Sequence, residues 1–477
     1  MSEVISTPSP PPAPDTSPLR RSVYLLLITL ATGGMMGRIL AVDSVDMRGL
    51  EKHLRDVEKR QDWRKSRPFL SANDRSRWAT ARALVEHGTY AIDDVIGEPG
   101  WDTIDMVKHR GADGQEHLYS SKPPLFATIL AGPYWLVHRL TGATLGDQPY
   151  LIGRGMLVLF SVVPLVIYFL VITCLADRLG TTDWGRIFMV AAATGGTFLT
   201  TFAVSINNHV IAAACAAIAV WAYVRIVYDQ RRERHWFLLC GFFAALTAAN
   251  ELPALAFLAL IGAALLARAP RPTLAAFLPA ALVVVVAHFG TNYMAHGELR
   301  EPYSHWDDWY FYSFEVNGKP KESYWKNPKG IDIGEPSVAK YAFHTLIGHH
   351  GIFSLSPIWL LSVAGIGLWS ARRDRRDLAF GIATLSLVVY GFYLGQSTIH
   401  RNYGGMTSGL RWMFWFAPLW LVALLPAADW CSRTRLRRGL ALVLLGLSVL
   451  SVTYPTWNPW THPWVLNFLL DRGWVTL

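Results

Sequence analysis

Long apolar runs separated by short polar connections dominate the pattern of this chain. Runs that approach the ~20 residues needed to cross a bilayer predict membrane helices at Val23–Leu40, Tyr150–Ala176, Ile187–Val204, Val210–Tyr228, Trp236–Ala249, Leu252–Ala267, Leu274–Tyr293, Ile352–Ser370, Leu378–Leu394, Met413–Ala428 and Leu436–Val452. The pattern therefore predicts an all-α polytopic integral membrane protein with about 11 transmembrane helices, in a range of about 10 to 13.

Composition and charge agree with this class. The 477 residues are 52% hydrophobic and 17% charged, with a formal net charge of +9. The arginines cluster in short segments between apolar runs, as in cytoplasmic loops, so the charge does not indicate a nucleic-acid partner. The four cysteines lie inside apolar runs or at their basic ends, which argues against a disulfide framework.

One further apolar run, Pro123 to Leu140, begins with two prolines and ends with His138-Arg139. If it crossed the membrane, every later loop would change sides, and most loop arginines would face outward against the positive-inside rule. We therefore expect an amphipathic helix at the outer interface. This topology puts the amino terminus in the cytoplasm, the carboxyl terminus outside, and the protein in the cytoplasmic (inner) membrane.

The same topology predicts the domain organisation. Residues 1–21 form a disordered cytoplasmic tail, and residues 22–454 form the transmembrane domain. Two long outer segments, 43–149 and 294–351, lie above its outer face, where juxtamembrane helices are expected. Residues 455–477 form an aromatic segment on the same side. Polar clusters then gather at the outer surface, and this arrangement favours chemistry there.

Asp74 begins the first of these clusters, in the sequence Asn73-Asp74-Arg75-Ser76-Arg77-Trp78. Ser71 and Asp74 have the spacing of a helix capping box. A carboxylate at a helix start beside two arginines is also suited to general base catalysis. The residues alone allow both interpretations.

Basic residues near glycines or helix starts are candidates for phosphate contacts. Lys122 precedes Pro123-Pro124 at a predicted helix start, where backbone amides favour anions. Arg401 and Arg411 flank a turn rich in glycine, and arginine matches phosphate geometry. The alternatives are a headgroup lysine and a plain glycine turn.

Asn208, His209, Glu251, His349 and His350 are candidates for acceptor binding or for supporting contacts at the outer face. Turn chemistry explains the asparagines equally well, and the remaining residues also suit the membrane interface. No second ligand accompanies His209 at a spacing diagnostic of zinc, so the residues predict no metal site.

The order of these parts resembles the GT-C superfamily of membrane glycosyltransferases, which take sugars from polyprenyl-phosphate donors. The resemblance favours the bacterial branch of lipid A aminoarabinose transferases and rhizobial lipopolysaccharide sugar transferases, with protein O-mannosyltransferases more distant. That branch has a D-E-x-R-Y motif, then K-P-P-L, then an arginine opening the next span. Here they correspond to Asp74 to Trp78, Lys122 to Leu125, and Arg154, within residues 20 to 230.

The resemblance implies that Asp74 is the general base and that Lys122, with Arg154 or Arg411, stabilises the departing polyprenyl phosphate. The chain departs from the family pattern at Arg75, which replaces an acid, and at Asn207-Asn208-His209, where an aspartate is common. These departures leave the acceptor and a requirement for Mg²⁺ or Mn²⁺ open. The expected partners are a polyprenyl-phosphate-linked sugar and membrane lipids.

Three other functions remain compatible with the sequence. A flippase or transporter for lipid-linked sugars would need charged or broken helices near the bilayer midplane. A glycan ligase or polymerase would use a similar outer site with a larger acceptor groove. A non-catalytic scaffold would make the nearness of Asp74 and Lys122 incidental.

Overall fold

The computed structural model describes residues 17–41, 69–98, 100–316, 318–455 and 458–475. Most of the predicted cytoplasmic tail and the stretch 42–68 of the first long outer segment lie outside the described residues, and so do residues 456–457 and 476–477.

Helices make up most of the described chain. Those of eight residues or more are α1 Pro18–Ala41, α2 Ala72–Arg82, α3 Pro124–Thr141, α4 Pro149–Leu157, α5 Val163–Leu179, α6 Asp183–Gly195, α7 Asn208–Val227, α8 Arg234–Asn250, α9 Leu255–Arg268, α10 Leu278–His296, α11 Val338–Leu346, α12 Trp359–Ser370, α13 Arg376–Leu394, α14 Ala417–Cys431, α15 Arg435–Thr453 and α16 Trp464–Asp471.

Seven helices of the described residues are long and apolar enough to cross a membrane, and they match seven of the predicted runs: Pro18–Ala41, Pro149–Leu179, Asn208–Val227, Pro270–His296, Arg376–Leu394, Arg411–Cys431 and Arg435–Thr453. The other four runs form shorter helices. At 1.5 Å per residue, the 12 residues of α12 extend only about 18 Å, against a hydrocarbon thickness of about 30 Å. The count of eleven full-length spans is not confirmed.

Two predicted spans are interrupted, and each interruption has a local cause. The run Ile187–Val204 stops being α-helical at Gly195 and continues as a 3-10 turn, Thr201–Val204, because Gly195 and Gly196 are weak helix formers. The run Ile352–Ser370 breaks at Ser356, which adopts ψ 70°. Pro357 disfavours a helical conformation in the residue before it.

Two short antiparallel hairpins lie in the outer segments, so the prediction of an entirely α-helical chain needs correction. Strands β1 (Met106–Arg110) and β2 (Glu116–Ser120) pair with Met106 opposite Ser120. Strands β3 (Ser313–Val316) and β4 (Lys319–Glu322) form the second hairpin. Gly114 turns the first hairpin with φ +78°, a conformation that glycine adopts without strain.

The polar contacts at one end of the helix bundle differ from those at the other end. At one end of the bundle, ion pairs tie neighbouring helices together, including Arg20–Asp177 at 3.1 Å and Arg268–Asp377 at 2.8 Å. At the opposite end, the first residue of α7 and the last residue of α8, Asn208 and Asn250, line a large cavity. The basic loops and the cavity thus lie at opposite ends of these helices.

Helix α3 corresponds to the run predicted to lie at the interface, and it is not among the seven helices with the length and composition of a span. Its amino end reaches the cavity, where Lys122, Pro123 and Phe126 are lining residues. It packs against α2 and α10. These contacts fix the start of α3 beside the buried helix that carries Asp74.

The packing of α12 against α14 depends on a close approach at Gly365. A Cβ atom at this position would stand 1.8 Å from the carbonyl oxygen of Ala423, whereas one at Gly367 would meet nothing within 4 Å. We expect Gly365→Ala to destabilise the fold by about 1–3 kcal/mol through overpacking, seen as a lower unfolding temperature in detergent.

Gly367→Ala is the matched control on the same helix, and we expect it to be neutral or to stabilise by up to about 1 kcal/mol. Equal unfolding temperatures for the two variants would contradict this account of the helix contact.

Candidate functional site

A cavity of about 850 Å³ opens at the end of the bundle away from the basic loops. Its lining residues are of several kinds. The apolar ones include Phe126, Leu252 and Phe392. The others carry charged, amide and aromatic side chains, among them Asn73, Arg77, Asp105, Lys122, Asn208, His209, Glu251, Tyr303, Trp306, Tyr324, Trp325, Asp332, His400, Arg411 and Trp460. A ligand with an apolar part and a polar part would find both environments here.

An ion pair between Asp105 and Lys122 lies in this cavity. The Lys122 Nζ is 3.0 Å from the Asp105 Oδ1, and the two side chains are 10% and 12% exposed. Little water reaches such a pair, so the attraction between the two charges is screened less than on an open surface.

The first hairpin brings this pair together. Because Met106 stands opposite Ser120 in the strand register, the residues just beyond them, Asp105 and Ser121, are also neighbours. The amide of Ser121 donates to the Asp105 carbonyl oxygen at 3.1 Å, and Lys122 follows directly. Helix α2 anchors the arrangement, since the Ser76 hydroxyl donates to the same carbonyl at 2.6 Å.

Arg77 presents a buried guanidinium at the cavity wall. Its Nη1 donates to the Asn73 side chain at 2.5 Å, and its Nη2 donates to the Asn208 Oδ1 at 2.6 Å. Burial lowers the pKa of Arg77 from its ordinary value, but a guanidinium stays charged in proteins. Two amide oxygens thus hold a positive charge that has no carboxylate in direct contact among the described residues.

Asn208 continues a chain of hydrogen bonds to a second, half-buried guanidinium, that of Arg411. Its Nδ2 donates to the Glu251 carboxylate at 2.8 Å, and that same carboxylate oxygen contacts the His209 Nδ1. The Arg411 Nη1 lies 2.9 Å from the His209 Nε2. Since a guanidinium only donates, Nε2 accepts, and the ring proton sits on Nδ1, directed at Glu251. His209 is therefore a neutral bridge between the Glu251 carboxylate and the Arg411 guanidinium.

Three of the residues predicted to act at the outer face, Asn208, His209 and Glu251, are thus brought together with Lys122 and Arg411 around one cavity. The Arg411 Nε also donates to the Gly404 carbonyl oxygen at 2.9 Å, and its guanidinium lies over the Trp460 ring at 5.3 Å. These contacts hold Arg411 in place at the cavity.

Asp74 lies next to the cavity but is not part of its lining. Its carboxylate accepts from the Ser71 amide at 2.8 Å, and the Ser71 hydroxyl accepts from the Asp74 amide, so the predicted capping box is confirmed. The side chain is 1% exposed. Burial raises the pKa of Asp74, opposed by the Arg75 charge and the hydrogen bonds from Ser71. In this arrangement the Asp74 carboxylate caps the amino end of α2.

Two of the predicted phosphate contacts lie away from the cavity lining. Arg401 donates to the carbonyl oxygens of Glu335, Pro336 and Gln396 at 2.5–2.8 Å, so it clamps two outer segments together. Arg154 is half-buried on α4, with its guanidinium 5.9 Å from the Tyr150 ring. Of the four basic residues predicted to bind phosphate, the cavity includes Lys122 and Arg411.

His349 and His350 form a separate buried cluster. Their Nδ1 atoms are 2.5 Å apart, the His349 ring stacks on His344 at 3.9 Å, and the His350 ring stacks on Tyr403 at 5.0 Å. Neither histidine lines the cavity. Among the described residues, no group of three or more His, Cys, Asp or Glu side chains has a geometry that could hold a metal ion.

Sequence reasoning missed Asp105 and Asp332 and did not assign Arg77 to the site. A signal for Asp105 exists, because Asp113-Gly114 between two short runs indicates a hairpin, which would bring Asp105 back to Lys122. Arg77 lies four residues after Asn73 on one face of α2, so its position at the cavity follows helical spacing. Asp332 lies in an irregular segment, and no sequence signal marks it.

No protein-family model and no curated protein matches the chain. Among solved structures, it is similar to the Archaeoglobus fulgidus oligosaccharyltransferase in its apo form, with 11% identity and a TM-score of 0.46. Two related structures hold ligands. The form tethered to an acceptor peptide with the NVT sequon gives 11% identity and 0.49, and the AglB complex with an inhibitory peptide and a dolichol-phosphate gives 12% and 0.45.

The matches cover 92–93% of this chain but only 56% of each oligosaccharyltransferase chain. This chain therefore spans little more than half the length of the proteins it resembles, and TM-scores below 0.5 do not establish a shared fold.

The Glu251 carboxylate holds both Asn208 and His209, so its charge supports the whole hydrogen-bond chain. We expect Glu251→Gln to lower the free energy of unfolding by about 1–3 kcal/mol, because the neutral amide removes the charge that strengthens both hydrogen bonds. Thermal unfolding in detergent measures this. The exposed Glu233→Gln is the control, with an expected change within about 0.5 kcal/mol; similar losses in both variants would refute the role of Glu251.

The buried histidine pair predicts a loss of stability in acid. Burial lowers the pKa of His349 to about 3 and that of His350 well below its ordinary value. Below about pH 6.5 the unfolded chain therefore binds protons that the folded chain does not bind. The free energy of unfolding then decreases as the pH is lowered, by up to about 1.4 kcal/mol per pH unit for each histidine.

We expect the unfolding temperature to fall between pH 7 and pH 5, and to fall less steeply in His349→Gln than in the wild type. His138→Gln, which changes a half-buried histidine on α3, should keep the wild-type slope. Equal slopes in all three proteins would exclude the pair as the cause.

Proposed function

We propose that this protein is a membrane glycosyltransferase that transfers a sugar from a polyprenyl-phosphate donor to a hydroxyl group of a lipid, glycan or protein acceptor. The observation that carries the proposal is the cavity. It combines a carboxylate paired with a lysine, two guanidiniums and several apolar side chains at one end of a helix bundle with the makeup of a membrane protein.

A lipid-linked sugar phosphate suits this combination because it has three chemically different parts. The phosphate needs cations, which Lys122, Arg411 and Arg77 supply. The polyprenyl tail needs apolar surroundings, and we assign to it the apolar lining residues Phe126, Leu252 and Phe392. The sugar then occupies the polar, aromatic remainder of the cavity.

Transfer requires one bond to form and one to break. The acceptor oxygen attacks the anomeric carbon and loses its proton to a carboxylate, while the bond from that carbon to the phosphate oxygen breaks. The departing polyprenyl phosphate carries the negative charge, which the neighbouring cations stabilise. The groups of the cavity supply both the proton acceptor and the charge stabilisation, without a further reactant.

The carboxylate best suited to take the proton is Asp105. It lines the cavity and is paired there with Lys122, whereas the Asp74 carboxylate is engaged in the helix cap. A general base must come within hydrogen-bond reach of the proton that it removes. Asp74, the residue that the family resemblance implies, remains the second candidate.

Several finer features belong to the same proposal. We place the reaction at the outer face of the cytoplasmic membrane, in keeping with the basic loops at the opposite helix ends. The expected donor is polyprenyl-linked and the expected products are components of the cell envelope, as in the bacterial GT-C branch that the motifs resemble.

Asp105→Asn tests the proposal. We expect transfer per folded molecule to fall by about 10²–10⁴-fold, the usual contribution of general base catalysis, together with a lower unfolding temperature, because Lys122 loses its charged partner. The assay uses purified protein in proteoliposomes with a panel of radiolabelled polyprenyl-phosphate sugars, followed by separation of the labelled products.

Asp74→Asn separates the two candidate bases. If its carboxylate only caps α2, activity should fall no further than the loss of folded protein explains, with destabilisation of about 0.5–2 kcal/mol. A loss of turnover in Asp74→Asn but not in Asp105→Asn would return the role to Asp74. Movement of the labelled lipid across the bilayer without any covalent product would instead indicate a flippase.

A further inference from the structure

We infer that Asp332 and the aromatic wall beside it form a subsite that binds the transferred sugar, with the Asp332 carboxylate accepting hydrogen bonds from hydroxyl groups of the ring. This inference rests on the proposed function. It adds a specificity-determining residue, in a part of the chain that no sequence motif had marked.

Asp332 differs from the other carboxylates of the cavity in its partner. Asp105 is paired with Lys122, Glu251 with His209, and Glu301 with His288 at 2.7 Å. Asp332 instead accepts a hydrogen bond at Oδ2 from the Tyr324 hydroxyl at 2.9 Å. Within the described chain it takes part in no ion pair. A half-buried carboxylate in this situation has capacity left for a ligand.

The free capacity lies at Oδ1. This atom is 3.1 Å from the point where a Cβ atom would stand on Gly405, a cavity-lining residue with φ +74°. A larger residue would crowd the carboxylate as well as strain the backbone. The glycine therefore leaves open space beside Oδ1, on the cavity side of the segment.

The position of Asp332 fits the sugar better than the lipid tail or a distant acceptor. Asp332 lines the same cavity as Asp105, Lys122 and Arg411, and burial raises its pKa. Asp332 therefore lies within electrostatic reach of both the proposed base and the proposed phosphate contacts. The sugar ring is the part of the donor that must lie between those two.

The neighbouring aromatic rings offer a surface for that ring. Trp306 and Trp325 line the cavity with their centroids 5.5 Å apart, and Tyr324 is next to Trp325 in sequence. The Trp325 Nε1 donates to the Ile104 carbonyl oxygen at 3.0 Å, which fixes the wall beside Asp105. Aromatic faces attract the C–H groups of a pyranose, and a nearby carboxylate accepts its hydroxyls, so the two together suit a polyhydroxylated ring.

The test is donor discrimination by Asp332→Asn, compared with Asp308→Asn. Asp308 is an exposed carboxylate of the same outer segment that does not line the cavity. Each protein is assayed with the preferred polyprenyl-phosphate sugar and with its 2-, 3- and 4-deoxy analogues. A hydrogen bond to a charged group contributes about 1.5–3 kcal/mol, or about 10–100-fold in affinity.

We expect Asp332→Asn to raise KM for the preferred donor by about 10–100-fold with little change in kcat. The wild type should reject one or two deoxy analogues, and the variant should accept them nearly as well as the parent sugar. Tyr324→Phe should show a weaker effect of the same kind. Asp308→Asn should behave as the wild type. Unchanged discrimination in Asp332→Asn would overturn the inference.

A binding measurement separates this inference from the proposed reaction. Saturation-transfer NMR with methyl pyranosides of glucose, galactose and mannose reports on sugar contact without turnover. We expect binding to the wild type and to Asp105→Asn, and a loss in Asp332→Asn. Pyranoside binding that survives in Asp332→Asn, or is absent from the wild type, refutes the subsite. Full transfer by Asp105→Asn with pyranoside binding intact refutes the proposed base and leaves the subsite standing.

Discussion

Charges that lie out of water at one end of an apolar helix bundle must be neutralised by one another, and the rest of the site depends on that constraint. Arg77 and Arg411 are linked through Asn208, Glu251 and His209. Asn208 and His209 each use both of their hydrogen-bonding ends, and one oxygen of Glu251 accepts from both of them. Removing one member strands the others, because a buried polar group without a partner is costly. These hydrogen bonds therefore fix the positions of both guanidiniums before any ligand binds.

The same constraint explains how distant parts of the sequence meet. The chain of contacts draws on α2, on the start of α7, on the turn after α8 and on the segment just before α14. None of these segments could keep its polar side chain at the end of an apolar bundle alone. Polar contacts at the helix ends thus hold the parts of the site together, and apolar packing holds the middle of the bundle together.

Much of the helical part of the fold could be predicted, because apolar runs of sufficient length have few alternatives. The errors came where local chemistry overrides length, as at Gly195-Gly196 and before Pro357. The capping box at Asp74 followed from spacing alone. Asp105 was missed because its role comes from hairpin pairing, a contact between residues far apart in sequence. The position of Asp332 at the cavity depends on tertiary contacts alone, and no local sequence pattern predicts them.

The ion pair between Asp105 and Lys122 also couples anion binding at the lysine to the contacts of the carboxylate. An anion that binds Lys122 competes with Asp105 for the lysine charge. As the lysine is shared with the anion, the Asp105 carboxylate becomes free to accept a hydrogen bond from another group in the cavity. The arrival of a phosphate would thus leave the Asp105 carboxylate open to the acceptor hydroxyl group, so donor binding would precede acceptor binding.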